Sequence, residues 1–340
     1  MFKSQSLKRY VLLLTVLLSV PTQAAIDKTL LVNEFVEQMV AKYYFERPQV
    51  EAWLNAAEIK PAILDAISSP AEGMSWYKYR KIFMTEKRIA GGVDFWQKNA
   101  VTLAKVSSQY GVPAEIIIAI IGVETQYGGN VGTYRVLDAL ATLGFAHPKR
   151  SAFFLSELEH FLLLCREEHI DPTQPLGSYA GAMGLPQFMP SSYRDFAVDF
   201  EQDKQRNIWT NPADAIASVA NYFVKHQWQP GAEVFVPAVA EGYEYKVAIR
   251  NELEPDLTTN DLRRLKIGVM DTLAADGKVK LLAFEQEFDE DLWLGLHNYY
   301  VITRYNRSPL YAMAVYQLSQ AIADRRQIKT ASGEKNLPSL

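Results

Sequence analysis

An α+β chain, mainly α, is the fold class that the sequence predicts. Apolar residues at helical spacing fill most of the first 230 positions, a glycine-rich turn interrupts them at 177–184, and period-2 patterning is confined to about 232–298. With 340 residues, 49% hydrophobic and 22% charged, the chain has room for two or three domains and is no disordered polymer. Its 35 basic against 39 acidic residues leave a net charge of −4, which argues against nucleic acid as a partner.

Residues 26 to about 110 read as helices from spacings such as Leu30, Leu31, Phe35 and Met39, then Val40, Tyr43 and Tyr44. Gly111-Val112-Pro113 breaks the pattern, and Pro113 suits the first turn of the next helix. That helix, Ala114 to about Thr125, carries no polar side chain from Ile116 to Val123, and a helix apolar on every face belongs in a core. Another helix covers Ser151 to Glu168, ahead of the turn Gly177 to Gly184. Asn211-Pro212-Ala213-Asp214 starts a further one, with a capping Asn, Pro at the first position and an acid in the first turn. Ile216, Val219, Ala220 and Phe223 form its stripe.

After Trp228-Gln229-Pro230-Gly231 the character changes. Tyr243, Tyr245, Val247 and Ile249 alternate with Glu244, Lys246, Ala248 and Arg250, which predicts a strand; Val234-Phe235-Val236 and Lys278 to Phe284 are candidate partners. Ser308-Pro309 opens a last helix with Tyr311, Val315, Leu318 and Ile322 along one face. The implied domains are 25–110 helical, 111–231 core, 232–298 a small β domain, 299–328 a segment returning to the helical domain, and 329–340 a tail.

Residues 1–24 have the form of a cleaved secretory signal. Lys3, Lys8 and Arg9 form a basic region, Val11 to Val20 a mostly apolar one, and Pro21-Thr22-Gln23-Ala24 a small-residue cleavage site. The apolar run is well short of the ~20 residues a bilayer span needs. Cys165, the only cysteine, lies in Phe161-Leu162-Leu163-Leu164-Cys165 and reads as a small buried hydrophobe. No internal disulfide can form, and no cysteine after the apolar run could carry a lipid, so a monomer without a membrane anchor is expected.

Three features could carry chemistry. Glu124 ends the apolar helix before the turn Thr125-Gln126-Tyr127-Gly128-Gly129. Spacing alone allows two environments: a head group past the last turn in water, or a desolvated carboxyl. Desolvation and the negative helix end would both push a buried carboxyl's pKa upward, towards a general acid. The stretch Ser178 to Pro190 is either a glycine-rich connector or a loop where small residues admit a ligand and Ser178 and Gln187 bond it. Tyr222, Tyr305 and Tyr311 are either core aromatics or faces on which sugar rings dock.

Other chemistries fit poorly. The five histidines form no His-x-x-x-His pair, and neither a Gly-x-Ser-x-Gly elbow nor a phosphate loop occurs. Asp199, Glu201, Asp203, Gln205 and Asn207 have the rhythm of a calcium loop, but Lys204 replaces the glycine at position six and Thr210 the acid at position twelve.

Ile121-Gly122-Val123-Glu124-Thr125, the Ser178–Tyr193 stretch, Ala217 to Phe223, Tyr305-Asn306-Arg307-Ser308 and Tyr311-Ala312-Met313-Ala314-Val315 together resemble the B-type lytic murein transglycosylases, glycoside hydrolase family 103. The resemblance runs in order from about Tyr77 to Ala323. It implies a goose-lysozyme-like catalytic core with a helical domain and a small β domain. The implied reaction cleaves the β-1,4 bond between N-acetylmuramic acid and N-acetylglucosamine without water, leaving 1,6-anhydromuramyl ends. Glu124 would be the only catalytic carboxyl, acid first and then base. Implied glycan contacts are Ser178, Gln187, Tyr222, Tyr305, Asn306, Tyr311 and Tyr79, with Met183 and Phe188 in the glycine-rich stretch and Lys149-Arg150 near the peptide stem. Tyr127 stands where some members have tryptophan, and would keep an aromatic face. The family's calcium loop, here Asp199, Glu201, Asp203, Gln205 and Asp214, is degraded at Lys204 and carries an extra residue before Pro212. No cofactor is required. The expected partner is peptidoglycan glycan, in the periplasm; a hydrolytic muramidase and a non-catalytic wall-binding protein are the competing readings.

Overall fold

The computed structural model describes residues 23–68, 73–269 and 277–331. The signal reading of 1–24 therefore lies outside the described residues except at Gln23 and Ala24, as does most of the 329–340 tail. Contacts divide the chain into two units between Glu51 and Ala52. The first contains α1 (Gln23–Tyr43) and the start of α2 (Arg47–Ala56), where Arg47 pairs with Glu51 one turn on and with Glu37. Phe35, Val36 and Met39, at the expected helical spacing, are buried. The boundaries expected near 110, 231 and 298 all fall inside the second unit.

Within that unit α3 (Pro61–Ile67), α4 (Trp76–Phe83), α5 (Glu86–Lys98) and α6 (Ala100–Tyr110) lead to α7 (Ala114–Thr125). Gly111 closes α6 in the left-handed region (φ 70), and Pro113 takes the cap position of α7, one residue before its expected place in the first turn. Every residue of α7 from Ile116 to Gly122 is buried, because α5, α6, α11 and α14 pack around it. An amphipathic sequence would leave one of those faces mismatched; this one matches them all.

The two-residue strands β1 (Tyr134–Arg135) and β2 (Leu176–Gly177) pair across α8 (Val136–Ala146) and α9 (Ser151–Glu167). Cys165 on α9 is buried, as expected. After α10 (Pro190–Phe196), α11 (Pro212–Lys225) starts as the sequence indicates: the Asn211 side chain accepts the Ala213 N–H and Pro212 follows. Ile216, Val219, Ala220 and Phe223 are fully buried.

The small sheet is antiparallel, in the order β4-β3-β6-β5. Its strands are β3 (Phe235–Ala240), β4 (Ile267–Val269), β5 (Lys280–Glu285) and β6 (Glu290–Gly295). One face, with Ala238, Leu281 and Leu294, closes a small core with Tyr245, Ala248, Leu257 and Leu262 from the connecting segment and α12 (Thr259–Arg264). Phe235 and Phe284 meet Tyr299, Tyr316 and Trp76 on the helices. The predicted strand over Tyr243–Ile249 is instead a 3-10 turn, Glu244–Ala248. Tyr243 and Val247 are 77% and 73% exposed, while Tyr245 and Ala248, three apart, are buried. The alternation of residue types was not an alternation of faces. α13 (His297–Tyr305) and α14 (Pro309–Ala331) complete the fold, with Tyr311, Val315, Leu318 and Ile322 buried.

Since α7 is enclosed, a cavity within it cannot be refilled cheaply. Ile118→Ala is expected to lower unfolding free energy by about 2–5 kcal/mol, read as a lowered urea midpoint with unchanged slope.

Candidate active site

α7 ends in a tight turn. Gly122 O accepts the Gln126 N–H at 3.1 Å and Ile121 O the Tyr127 N–H at 3.3 Å, while Gln126 and Tyr127 are both left-handed (φ 51 and 62). Glu124 stands on that last turn, partly buried. Tyr311, in the first turn of α14, donates its hydroxyl to Glu124 Oε1 at 2.6 Å. Burial raises the carboxyl's pKa to about 7, and the Tyr311 bond pulls the other way by favouring the carboxylate. The helix dipole, the second cause expected from the sequence, is opposed here. Arg88 of α5 donates its guanidinium to Gly122 O at 2.9 Å and Val123 O at 3.3 Å, occupying carbonyls at the negative end.

Tyrosines surround the acid. Tyr305, at the end of α13, lies parallel to Tyr311 with ring centroids 6.5 Å apart, and donates to Pro186 O at 2.6 Å. Burial first, and then the Glu124 charge, push both phenols well above their usual pKa, so they stay protonated donors. Tyr222 on α11 packs 4.7 Å from Tyr305, stacks on His226 and donates to Arg304 O. Tyr79 on α4 lies beside Phe83 and close enough to Tyr311 to raise its pKa as well.

The Ser178–Pro190 loop is pinned from inside. Met183 and Phe188 exchange both backbone hydrogen bonds, and Ser178 Oγ accepts the Ala180 and Ala182 N–H groups. Gly184 (φ 67) has no room for a side chain, since a Cβ there would come within 2.5 Å of Ile208 O. Gln187 (φ 50) donates Nε2 to Val131 O and Gly184 O. Thr125 joins this loop to α7: its hydroxyl lies 3.0 Å from Leu185 O and accepts the Gly128 N–H.

Glu124, Tyr311, Tyr305, Tyr222 and Tyr79 thus converge, and Ser178 and Gln187 sit on the loop attached to them through Pro186 and Leu185. Asn306 is exposed at the junction of α13 and α14. Several expected contacts are corrected. Met183 and Phe188 are 0% and 2% exposed, so they back the loop and the tyrosines and offer no surface to a glycan. The Tyr222 ring, 7% exposed, stacks on His226 and packs on Phe196, so it backs Tyr305 and offers no open face to a glycan. The Tyr127 ring, partly exposed, lies in a cradle made by Gly91, Gly92 and Gly122, with its hydroxyl on Arg88 O at 2.8 Å. Lys149 and Arg150 are exposed at the α8–α9 corner, where their N–H groups meet His147 Nδ1 and Arg150 lies over Phe153 and Phe154. That corner belongs to a different pair of helices from the one joining Glu124 to Tyr311. Arg88 and the bonds of Thr125 were not foreseen. Arg88 sits on another helix, 34 residues before Gly122, and nothing in its local sequence pairs it with α7.

The 199–214 loop was tested as a calcium cage. Both Asp199 oxygens accept backbone N–H groups from Asp203 and Lys204, and both Asp214 oxygens accept those of Phe200 and Asn207. Glu201 takes the Asn211 amide. Among the described residues no group of three or more acidic, histidine or cysteine side chains is placed to hold a metal. With these oxygens turned onto the loop's own N–H groups and Lys204 at the sixth position, no step is assigned to a calcium ion.

A family model described as the transglycosylase SLT domain matches residues 28–320. Membrane-bound lytic murein transglycosylase B of Escherichia coli K12 is 41% identical over 307 residues, 86% of this chain and 82% of that protein. The soluble lytic transglycosylase SltB1 of Pseudomonas aeruginosa superposes with a TM-score of 0.83 at 49% identity, over 87% of this chain and 99% of that one. The Escherichia coli lytic transglycosylase Slt35 in complex with bulgecin A gives 0.81 at 41% identity, over 87% and 94%. With its acid-bearing helix, tyrosine cluster and glycine-rich loop lying inside a match of this extent, the chain belongs to the transglycosylase SLT domain family.

Proposed function

We propose that this protein is a lytic murein transglycosylase, cleaving the bond between N-acetylmuramic acid and N-acetylglucosamine in peptidoglycan without water. One observation carries the reading: a single carboxyl, Glu124, is held by burial and one phenol at a pKa of about 7 among tyrosines. Near neutrality such a group is divided between acid and carboxylate, which suits a residue that must act as both. Among the described residues no second carboxylate contributes to the pKa of Glu124, Tyr305 or Tyr311. A two-carboxylate glycosidase would place its partner about 5–10 Å away, where its charge would be felt.

The chemistry follows from atom positions. Tyr311 occupies Oε1, so Oε2 is the oxygen free to carry the transferable proton. Glu124 gives that proton to the glycosidic oxygen as the bond from C1 of the muramic acid breaks, with the muramyl N-acetyl oxygen closing on C1. The resulting carboxylate, stabilised by the Tyr311 hydroxyl, takes the proton of the muramyl O6 hydroxyl. O6 then displaces the N-acetyl oxygen at C1, giving the 1,6-anhydro ring; protons balance and no water is consumed. The loop supplies complementary groups for the sugar. Ser178 Oγ already accepts two N–H groups, which turns its own proton outward, and Gln187 spends Nε2 inward, which leaves its carbonyl as acceptor. Tyr305 offers aromatic surface for the apolar face of the rings, with the buried Tyr222 ring packed behind it.

The same reading places the protein in the periplasm as a monomer, exported by residues 1–24 and released from them. Its support is the basic and apolar pattern of that segment.

Digestion of purified murein followed by mass spectrometry tests the reaction: anhydromuropeptides are expected, and products heavier by one water would establish a hydrolytic muramidase instead. Glu124→Gln should lose about 10²–10⁴-fold in turnover. Tyr311→Phe removes the bond that favours the carboxylate, so the Glu124 pKa rises. The alkaline limb of the rate profile, where the acid is lost, should move to higher pH. Stability gives a separate check. A carboxyl raised from 4.5 to about 7 on folding makes the native state bind more protons between those values, so stability falls as pH rises through that window. Glu124→Gln should therefore be more stable than wild type at pH 8, by on the order of 2–3 kcal/mol in urea unfolding, with the gain vanishing near pH 4.

A further inference from the structure

We infer that Arg88 is a positioning residue for Glu124, acting through the carbonyls of Gly122 and Val123; this rests on the reading of Glu124 as the acid. The last turn of an α-helix leaves carbonyls short of donors, and here Val123 O, and Gly122 O beyond the one Gln126 N–H it accepts, lie immediately before the reacting carboxyl. Arg88 NH1 spans both, at 2.9 and 3.3 Å, from a neighbouring helix. The guanidinium is half-buried and lies 5.0 Å over the Phe83 ring, which removes much of its freedom. Its backbone is fixed as well, since Tyr127 donates to Arg88 O at 2.8 Å.

The arrangement answers a local strain. Gln126 and Tyr127 are consecutive non-glycine residues in the left-handed region, a backbone state that costs about 1–3 kcal/mol per residue and persists only where its surroundings enforce it. Two contacts enforce it: the Tyr127 ring in the cradle of Gly91, Gly92 and Gly122, and Arg88 on the carbonyls one turn back. The turn then leaves Glu124 aimed at Tyr311. Phe83 under the guanidinium also packs 5.1 Å from Tyr79, which stands beside Tyr311. Direct contacts therefore run from Arg88 to the helix carrying the acid and, through Phe83, to Tyr79, whose charge is felt at Tyr311. Arg88 itself meets only the two carbonyls and the Phe83 ring, so it should govern turnover and leave substrate affinity alone.

The test compares wild type, Arg88→Met, Arg88→Lys and Glu124→Gln in steady-state murein digestion, with circular dichroism reporting the folded fraction. Misplacing a reacting group by about 1 Å costs up to a hundredfold, so per folded molecule Arg88→Met should lose about ten- to a hundredfold in kcat with KM within about threefold. Arg88→Lys should recover part of the loss, since one nitrogen can meet both carbonyls but an ammonium lacks the planar face that lies over Phe83, and added guanidinium ion should partly rescue Arg88→Met. A kcat per folded molecule within threefold of wild type overturns the inference, as does a loss carried by KM. If Arg88→Met does not fold, Tyr127→Phe, which removes only the bond to Arg88 O, takes its place. A threefold or larger fall in its kcat at constant KM supports the inference, and an unchanged kcat overturns it. Absence of anhydro product from wild type, or full activity in Glu124→Gln, would sink the functional reading itself and is visible in the same assay.

Discussion

One carboxyl partly withdrawn from water, with a single phenol to hold it, is the constraint from which the rest of this structure follows. The two influences on Glu124 oppose each other. Burial disfavours its charge and the Tyr311 hydroxyl favours it, and the balance leaves the group near neutrality. Neither influence is available on an exposed helix end. The dry side is α7 itself, whose Ile116–Gly122 run has to be enclosed by α5, α6, α11 and α14. The phenol must come from a distant part of the chain, and it arrives on α14, 187 residues later, because α14 packs along α7. Core formation and placement of the acid are one event.

What was legible in the sequence divides along the same line. α7, α11 and α14 could be read because their burial is a property of the segment alone: an all-apolar run, an Asn-Pro start and a stripe at helical spacing survive any arrangement of neighbours. Glu124 could be singled out because it ends such a run. The Tyr243–Ile249 segment could not be read, since aromatic and β-branched residues there alternate in type while the chain turns with a period near three. α8, α12 and α13 and the strand β6 escaped notice for a related reason. Glu290–Gly295 alternates weakly and is identified as a strand only by the partners on either side of it.

Side-chain roles were less legible than elements. Tyr127, Met183 and Phe188 have the composition of a sugar platform, yet a ring's usefulness depends on which side of the backbone it occupies. Tyr127 faces three glycines, and Met183 and Phe188 are closed in by their own hairpin. The glycines around position 180 allow either a plain connector or room for a ligand; at Gly184 the structure spends that room on the protein's own backbone, against Ile208 O. The loop gains stiffness from this, and the inward bonds of Ser178 and Gln187 add to it.

A buried acid is also a liability to the fold, and the structure contains the compensation. Holding Glu124 at a raised pKa lowers stability at neutral pH, and two consecutive left-handed residues beside it add strain. The elements that offset these costs hold the backbone of the turn that carries the acid. Arg88 satisfies the helix end, Tyr127 fills the glycine cradle, and Thr125 ties the turn to Leu185. Each acts on backbone or on packed apolar surface, so none perturbs the carboxyl's charge by competing with Tyr311 for its oxygens. Placing support on the backbone and a single donor on the carboxyl lets the site be rigid while the group keeps its raised pKa, and that combination is what a proton donor reused as an acceptor requires.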